Sequence, residues 1–219
     1  IKIKYNKMKV DIDKVISSIN SKTSLVILSN PSSPVGDIIE KNKIIELLNK
    51  CKKNNILLVI DEAYVEFSKY SSLINDTNKY SNLFVIRTFS KAYGSAGVRC
   101  GFGISNKKNI DIVNKFRDMY EISALTALWL DNLLKNKKSL NIYFTKIKKN
   151  RLNLYNSLKN KGYEVINSES NWIHLKVNKK IISLLNKNNF LVKDVTKLPL
   201  KNNKGWITIS IPDDKIKYK

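Results

Sequence analysis

Asn55-Ile56-Leu57-Leu58-Val59-Ile60-Asp61-Glu62-Ala63-Tyr64 is the stretch on which the fold turns. An unbroken apolar run ends abruptly in acids. A short apolar run of this kind, rich in branched residues, reads as a strand buried on both faces. The same grammar occurs on either side. Upstream, Ser24 to Ser29 is apolar at Leu25 to Leu28 and is followed by Asn30-Pro31-Ser32-Ser33-Pro34-Val35-Gly36. Downstream, Leu83 to Arg87 is followed by Thr88-Phe89-Ser90-Lys91-Ala92-Tyr93-Gly94, with Arg99 eight residues after Lys91. Between the first two runs, Ile38 to Lys53 has the spacing of an amphipathic helix, with Ile44, Ile45, Leu47 and Leu48 as its apolar contribution. Asp11 to Ile19 predicts a further helix and Arg99 to Ser105 a further strand. Strands separated by helices predict an α/β fold, with a mainly parallel sheet covered by helices on both faces.

The polar residues cluster just after the strand ends, where open α/β sheets place their ligands. Their types fit one cofactor, pyridoxal 5'-phosphate (PLP). A lysine amine, here Lys91, forms a Schiff base with the cofactor aldehyde and later carries protons. An aspartate, here Asp61, keeps the pyridine nitrogen protonated, because opposite charge favours the charged form. Arg99, Thr88 and Ser90 offer a cation and hydroxyls for the phosphate. Asn30 and Tyr64 offer donors for the ring oxygen. The bland alternatives are a solvated lysine, a helix cap at Asp61-Glu62 and a plain turn at Asn30 to Gly36, since Asn, Pro and Gly punctuate loops anyway.

NPSSPVG, DEAY and TFSKAYGSAGVRCGF, in that order and spacing, resemble the motifs of fold-type I PLP enzymes, most closely the histidinol-phosphate aminotransferase group of class I/II aminotransferases. The resemblance runs from about Val10 to about Pro212. It implies that Lys91 is the Schiff-base lysine and Asp61 the pyridine partner. Tyr64 and Asn30 would then approach the ring oxygen, and Thr88, Ser90 and Arg99 would hold the phosphate. It also implies a partial large domain over residues 1–122 and a small α+β C-terminal domain over 123–219. The activity implied is transamination between a small-molecule amino donor and an oxo acceptor, in a homodimer when complete. A decarboxylase of the threonine-phosphate type uses the same local motifs. A non-catalytic module acting through its basic surface is a rival of a different class.

The resemblance also shows departures. Family members carry further residues before the point matching Ile1, so the chain alone is expected to retain PLP poorly. Its end, Pro212 to Lys219, likewise stops short of a final helix. An arginine that clamps the substrate carboxylate in the family aligns with Trp206, and a second with Lys193. A guanidinium fork is poorly replaced by tryptophan, which points toward an acceptor such as a phosphorylated or phosphonate-bearing aldehyde. The family's Pro-Tyr-Asn segment is absent near Arg117 to Glu121.

Composition sets outer limits. The net charge of +22 comes from 40 basic against 18 acidic residues, but lysines are spread evenly and only Arg87, Arg99, Arg117 and Arg151 are arginines. No arginine-rich block or aromatic–basic module argues for specific nucleic-acid binding. Cys51 and Cys100 have no metal spacing and read as packing thiols of a reducing compartment. His174, the only histidine, reads as structural, and no metal site is expected. No run suits a membrane span or signal peptide, so the expected location is the cytoplasm. Beyond Asn106, the pattern predicts a helix to Asp118, a long helical region from Ser123 to Lys161, strands at Tyr163 to Ile166 and Trp172 to Val177, a helix near Lys180 to Asn188, and strands near Phe190 to Val195 and Trp206 to Ile211.

Overall fold

The computed structural model describes residues 5–6, 8–188, 193–194 and 205–213. The expected stretches Phe190 to Val192, Val195 and the segment after Asp213 lie outside the described residues. A short antiparallel pair, β1 (Tyr5–Asn6) and β2 (Lys9–Val10), leads into α1 (Ile12–Ser18). Asp11 caps α1 by accepting the backbone N–H of Lys14. Then come β3 (Leu25–Ser29), α2 (Lys41–Lys53), β4 (Leu57–Asp61), β5 (Leu83–Thr88) and β6 (Gly101–Ile104).

These four strands form one sheet in the order β3-β4-β5-β6. The first three are parallel, with Ser29 opposite Asp61 and Asp61 opposite Ile86; β6 closes the edge antiparallel to β5. Gly101 is required there, since a Cβ would lie 2.7 Å from the Arg87 carbonyl. One face of the sheet carries the core. Leu58, Ile60, Leu83 and Val85 pack against Ile44, Leu47, Leu48 and Cys51 of α2 and Val15 of α1. Burying each such side chain contributes on the order of 2 kcal/mol. On the opposite face Val59 and Phe84 are buried, while Leu25, Ile27 and Ile86 are 47%, 61% and 40% exposed.

Helix α2 begins at Lys41 rather than Ile38. The reason is local: Asn30 clasps Ile39, accepting its N–H at 2.8 Å and donating to its carbonyl at 3.2 Å. Ile39's backbone groups are therefore committed outside the helix.

The rest of the chain supplies α3 (Lys107–Asn114), α4 (Ala124–Lys135), α5 (Lys137–Asn160), β7 (Val165–Ile166), β8 (Trp172–Lys176), α6 (Lys179–Lys187), β9 (Lys193–Asp194) and β10 (Trp206–Ser210). The single helical region expected from Ser123 to Lys161 is two helices, divided at Asn136, where ψ reaches 35°. The second sheet is ordered β7-β8-β10-β9, with all its pairs antiparallel. A shared apolar cluster joins the two halves. Phe67 and Ala92 pack with Phe144, Ile147 and Leu154 of α5 and Ile173 of β8. No helix among the described residues is long and apolar enough to cross a membrane.

Candidate active site

Parallel pairing brings the expected residues to one edge of the first sheet. Asp61 ends β4 and Thr88 ends β5, while Asn30 directly follows β3 and donates its backbone N–H to the Asp61 carbonyl at 2.9 Å. Adjacent strands lie about 4.8 Å apart, so these three residues are neighbours across the strand ends.

Asp61 is half-buried, and its Oδ1 accepts the backbone N–H of Ala63 at 3.0 Å. That bond fixes the plane of the carboxylate and leaves Oδ2 outside it. The Thr88 hydroxyl accepts the backbone N–H of Ser90 at 3.1 Å and lies 3.4 Å from the Cys100 carbonyl. Lys91 follows on an exposed turn, closed by the Gly94 N–H donating to the Lys91 carbonyl at 3.1 Å. Its Nζ lies 5.5 Å from the centre of the Tyr64 ring, a cation–π distance. The Tyr64 ring packs edge-on against Trp172 of β8, with centroids 4.7 Å apart. Arg99 is exposed, sits at φ 55°, and donates from a terminal nitrogen to the Ala96 carbonyl at 2.9 Å.

Asn30 is fully buried; its amide oxygen accepts the Ile39 N–H and its amide nitrogen donates to the Ile39 carbonyl, so its side chain also braces the NPSSPVG loop. The other six expected residues stand on the loops that leave β4 and β5 or in the strand ends themselves.

Residues absent from the sequence expectation support this edge. Ser95 accepts the indole N–H of Trp129 of α4 at 2.9 Å, and its hydroxyl lies 3.0 Å from the Tyr93 carbonyl. Helix α4 thereby braces the lysine turn. Glu62, which is buried, and Glu66, Arg87 and Tyr93, which are partly buried, form a polar cluster beneath it. His174 holds the other flank. Its Nε2 lies 2.9 Å from the Val35 carbonyl and 3.3 Å from the Trp172 indole nitrogen, and its Nδ1 lies 3.1 Å from the Thr208 hydroxyl. Burial pushes this imidazole below its ordinary range. A cleft of about 480 Å³ near Met8, Asp37, Lys43 and Glu169 is lined by none of the seven expected residues.

The donor set suits PLP. It holds an exposed amine without an ion pair among the described residues, a carboxylate with one oxygen outside its local bond, an exposed guanidinium and two hydroxyl side chains. No group of acidic, histidine and cysteine side chains among the described residues could hold a metal ion.

Comparisons with known proteins agree with this geometry. The aminotransferase class I and II family profile matches residues 1–218. The histidinol-phosphate aminotransferase of Methanococcus aeolicus is 35% identical over 187 residues, covering 80% of this chain and 48% of that protein. The crystal structure of the histidinol-phosphate aminotransferase from Clostridium acetobutylicum superposes with a TM-score of 0.88 at 25% identity, over 98% of this chain and 67% of that one. The Sinorhizobium meliloti histidinol-phosphate aminotransferase, solved in complex with pyridoxal-5'-phosphate, gives a TM-score of 0.82 at 23% identity, over 97% and 60%. The chain spans about half the length of the curated relatives it matches.

Proposed function

Because the chain belongs to the class I and II aminotransferase family, we propose that its protein is a PLP-dependent aminotransferase resembling the histidinol-phosphate enzymes. It would pass an amino group from a small-molecule donor to an oxo acid or a phosphate- or phosphonate-bearing aldehyde. The observation that carries this reading is the placement of Asp61, Thr88 and Lys91 at the carboxyl edge of parallel strands, with the lysine amine exposed.

Bound there, PLP supplies an electron sink for charge developed at the substrate Cα. The protein's own residues would do the rest. Lys91 would hold the cofactor, and its amine would move the proton that leaves the substrate Cα. Asp61, its carboxylate oriented by the Ala63 N–H, would face the pyridine nitrogen. Arg99, Ser90 and Thr88 would hold the phosphate. Tyr64, placed between Lys91 and Trp172, and Asn30 would offer donors to the ring oxygen.

The arginines support a substrate that needs no guanidinium clamp from this chain. All four lie among the described residues. Arg87 is partly buried and Arg151 buried, each against carboxylates, Arg117 pairs with Glu121, and Arg99 stands at the proposed site. Trp206, aligned with the clamp position, is a buried ring with the Lys176 ammonium 5.9 Å from its centre.

The test is amino transfer from glutamate to candidate acceptors, scored by the oxo product. Lys91→Ala should lower turnover by at least roughly a thousandfold with an unchanged far-ultraviolet spectrum. Release of carbon dioxide instead of an oxo product would overturn the reading in favour of decarboxylation. The reading includes a cytoplasmic homodimer. Apolar side chains exposed at Phe116, Met119, Tyr120, Leu125 and Leu128 support burial against a second copy. Sedimentation equilibrium should give twice the chain mass.

A further inference from the structure

Strand alternation divides two pairs of adjacent residues between the faces of the first sheet. Asp61 and Thr88 share one face with Val59 and Ile86, two residues before each. Glu62 and Arg87 continue the core-face series of Ile60 and Val85. The first pair belongs to the proposed site; the second lies behind it.

That second pair is heavily bonded. Glu62 is fully buried. Its Oε1 accepts the Leu73 backbone N–H at 2.7 Å, and its Oε2 accepts the Ser72 hydroxyl at 2.5 Å. Arg87 places one terminal nitrogen 3.5 Å from Glu62 Oε2 and donates from the other to Glu66. The Tyr93 phenol faces both Glu66 and Arg87, and burial followed by the Glu66 charge pushes it up to about 12. One guanidinium is thus wedged among three groups. These are a carboxylate adjoining Asp61, a carboxylate two residues past Tyr64, and a phenol two residues past Lys91.

Stability does not account for this cluster. One partly buried cation faces one fully buried and one partly buried carboxylate. Burial raises the Glu62 carboxyl even against the donors around it, so ionisation there works against the fold. Apolar replacements of buried ionic clusters are often neutral or stabilising. What a planar guanidinium fork supplies is direction.

We infer that Arg87 is a positioning residue: gripped by Glu62 and Glu66, it fixes from the core side the spacing between the Asp61–Tyr64 arm and the Thr88–Lys91 arm. The inference rests on the proposed PLP site, but its geometric part is tested without cofactor. Amide hydrogen exchange on the cofactor-free protein should show faster exchange at Glu62, Ala63, Ser90 and Gly94 in Arg87→Met than in wild type, with α2 unchanged. Arg87→Met leaves two unpaired carboxylates and can unfold. The triple variant R87M/E62Q/E66Q removes that charge and is the decisive arm. It should keep the wild-type melting temperature, show the same local loss of protection, and bind PLP about tenfold more weakly, the loss typical when support of a ligand contact is removed. Arg87→Lys, which keeps charge without the fork, should restore stability but not protection. A triple variant with wild-type exchange and PLP affinity would overturn the inference. So would its failure to fold, which would show the cluster to be a general structural one. The PLP arm uses the complete protein: complete wild-type protein that does not bind PLP would instead sink the proposed function and leave the exchange result standing.

Discussion

Two residues of the NPSSPVG loop show how a single position sets the site's outline. Asn30 replaces two backbone bonds that Ile39 would otherwise need. Asn30→Ala strands a buried N–H and carbonyl, and should destabilise the chain by about 2 kcal/mol, read from urea denaturation. Gly36 has φ 80°, and a Cβ there would collide with the Ser168 side chain. Gly36→Ala should therefore lose roughly 2 kcal/mol or more, while the same change at Gly97, which has open space, should be close to neutral. Lys91, Asp61 and Arg99 stood out in the sequence because their types are unusual together and their order repeats a known chemistry. The bonds from Asn30 to Ile39 did not, because an asparagine after a strand can serve a ligand or the backbone equally, and the partner nine residues on is fixed only by the folded loop.

At the scale of elements, hydrophobic runs told strands from helices well, because a strand buried between neighbours needs no polar alternation. They could not tell which faces would be covered. Leu25 and Ile27 are as apolar as Leu58 and Ile60, yet they stand exposed on β3 while the latter are fully buried on β4. Covering depends on partners elsewhere, which local pattern does not encode. The two faces should respond differently to substitution. Leu47→Ala, at a fully buried position of α2, should cost about 3 kcal/mol. Ile27→Thr should change stability by no more than about 0.5 kcal/mol. Equal losses in chemical denaturation of this chain would mean that the outer face of β3 is covered in solution. The division at Asn136 was likewise hidden, since both flanking stretches carry helical spacing and asparagine ends helices only by context.

On the scale of the whole molecule, the two sheets are tied by apolar packing and by a few buried polar links. The expected boundary near residue 122 falls in an exposed stretch, but Phe67, Ala92, Phe144 and Ile173 form one cluster across it. Arg151 of α5 donates to the Phe67 carbonyl at 2.9 Å and the Ser170 carbonyl at 2.6 Å, and so fastens the loop after Tyr64 to the second sheet's approach. His174 makes the corresponding link on the other side, from β8 to the NPSSPVG loop. Its pH dependence follows in sign. In the unfolded chain the imidazole titrates near about 6.5; in the fold burial lowers it. Above that range both states are neutral and the contribution to stability is complete. As pH falls through it, the unfolded chain binds the proton first, and stability is lost until the folded value is passed. Asp37 and Glu62, whose carboxyls burial raises, act in the opposite sense at lower pH. A wild-type chain alone would therefore mix the two effects. His174→Gln keeps hydrogen-bonding capacity at this position without a titrating ring. Urea midpoints between about pH 7.5 and pH 5.5 should fall more steeply for wild type than for His174→Gln. Parallel slopes would show that His174 keeps its ordinary titration in the fold, and that the link to Val35 is open to water.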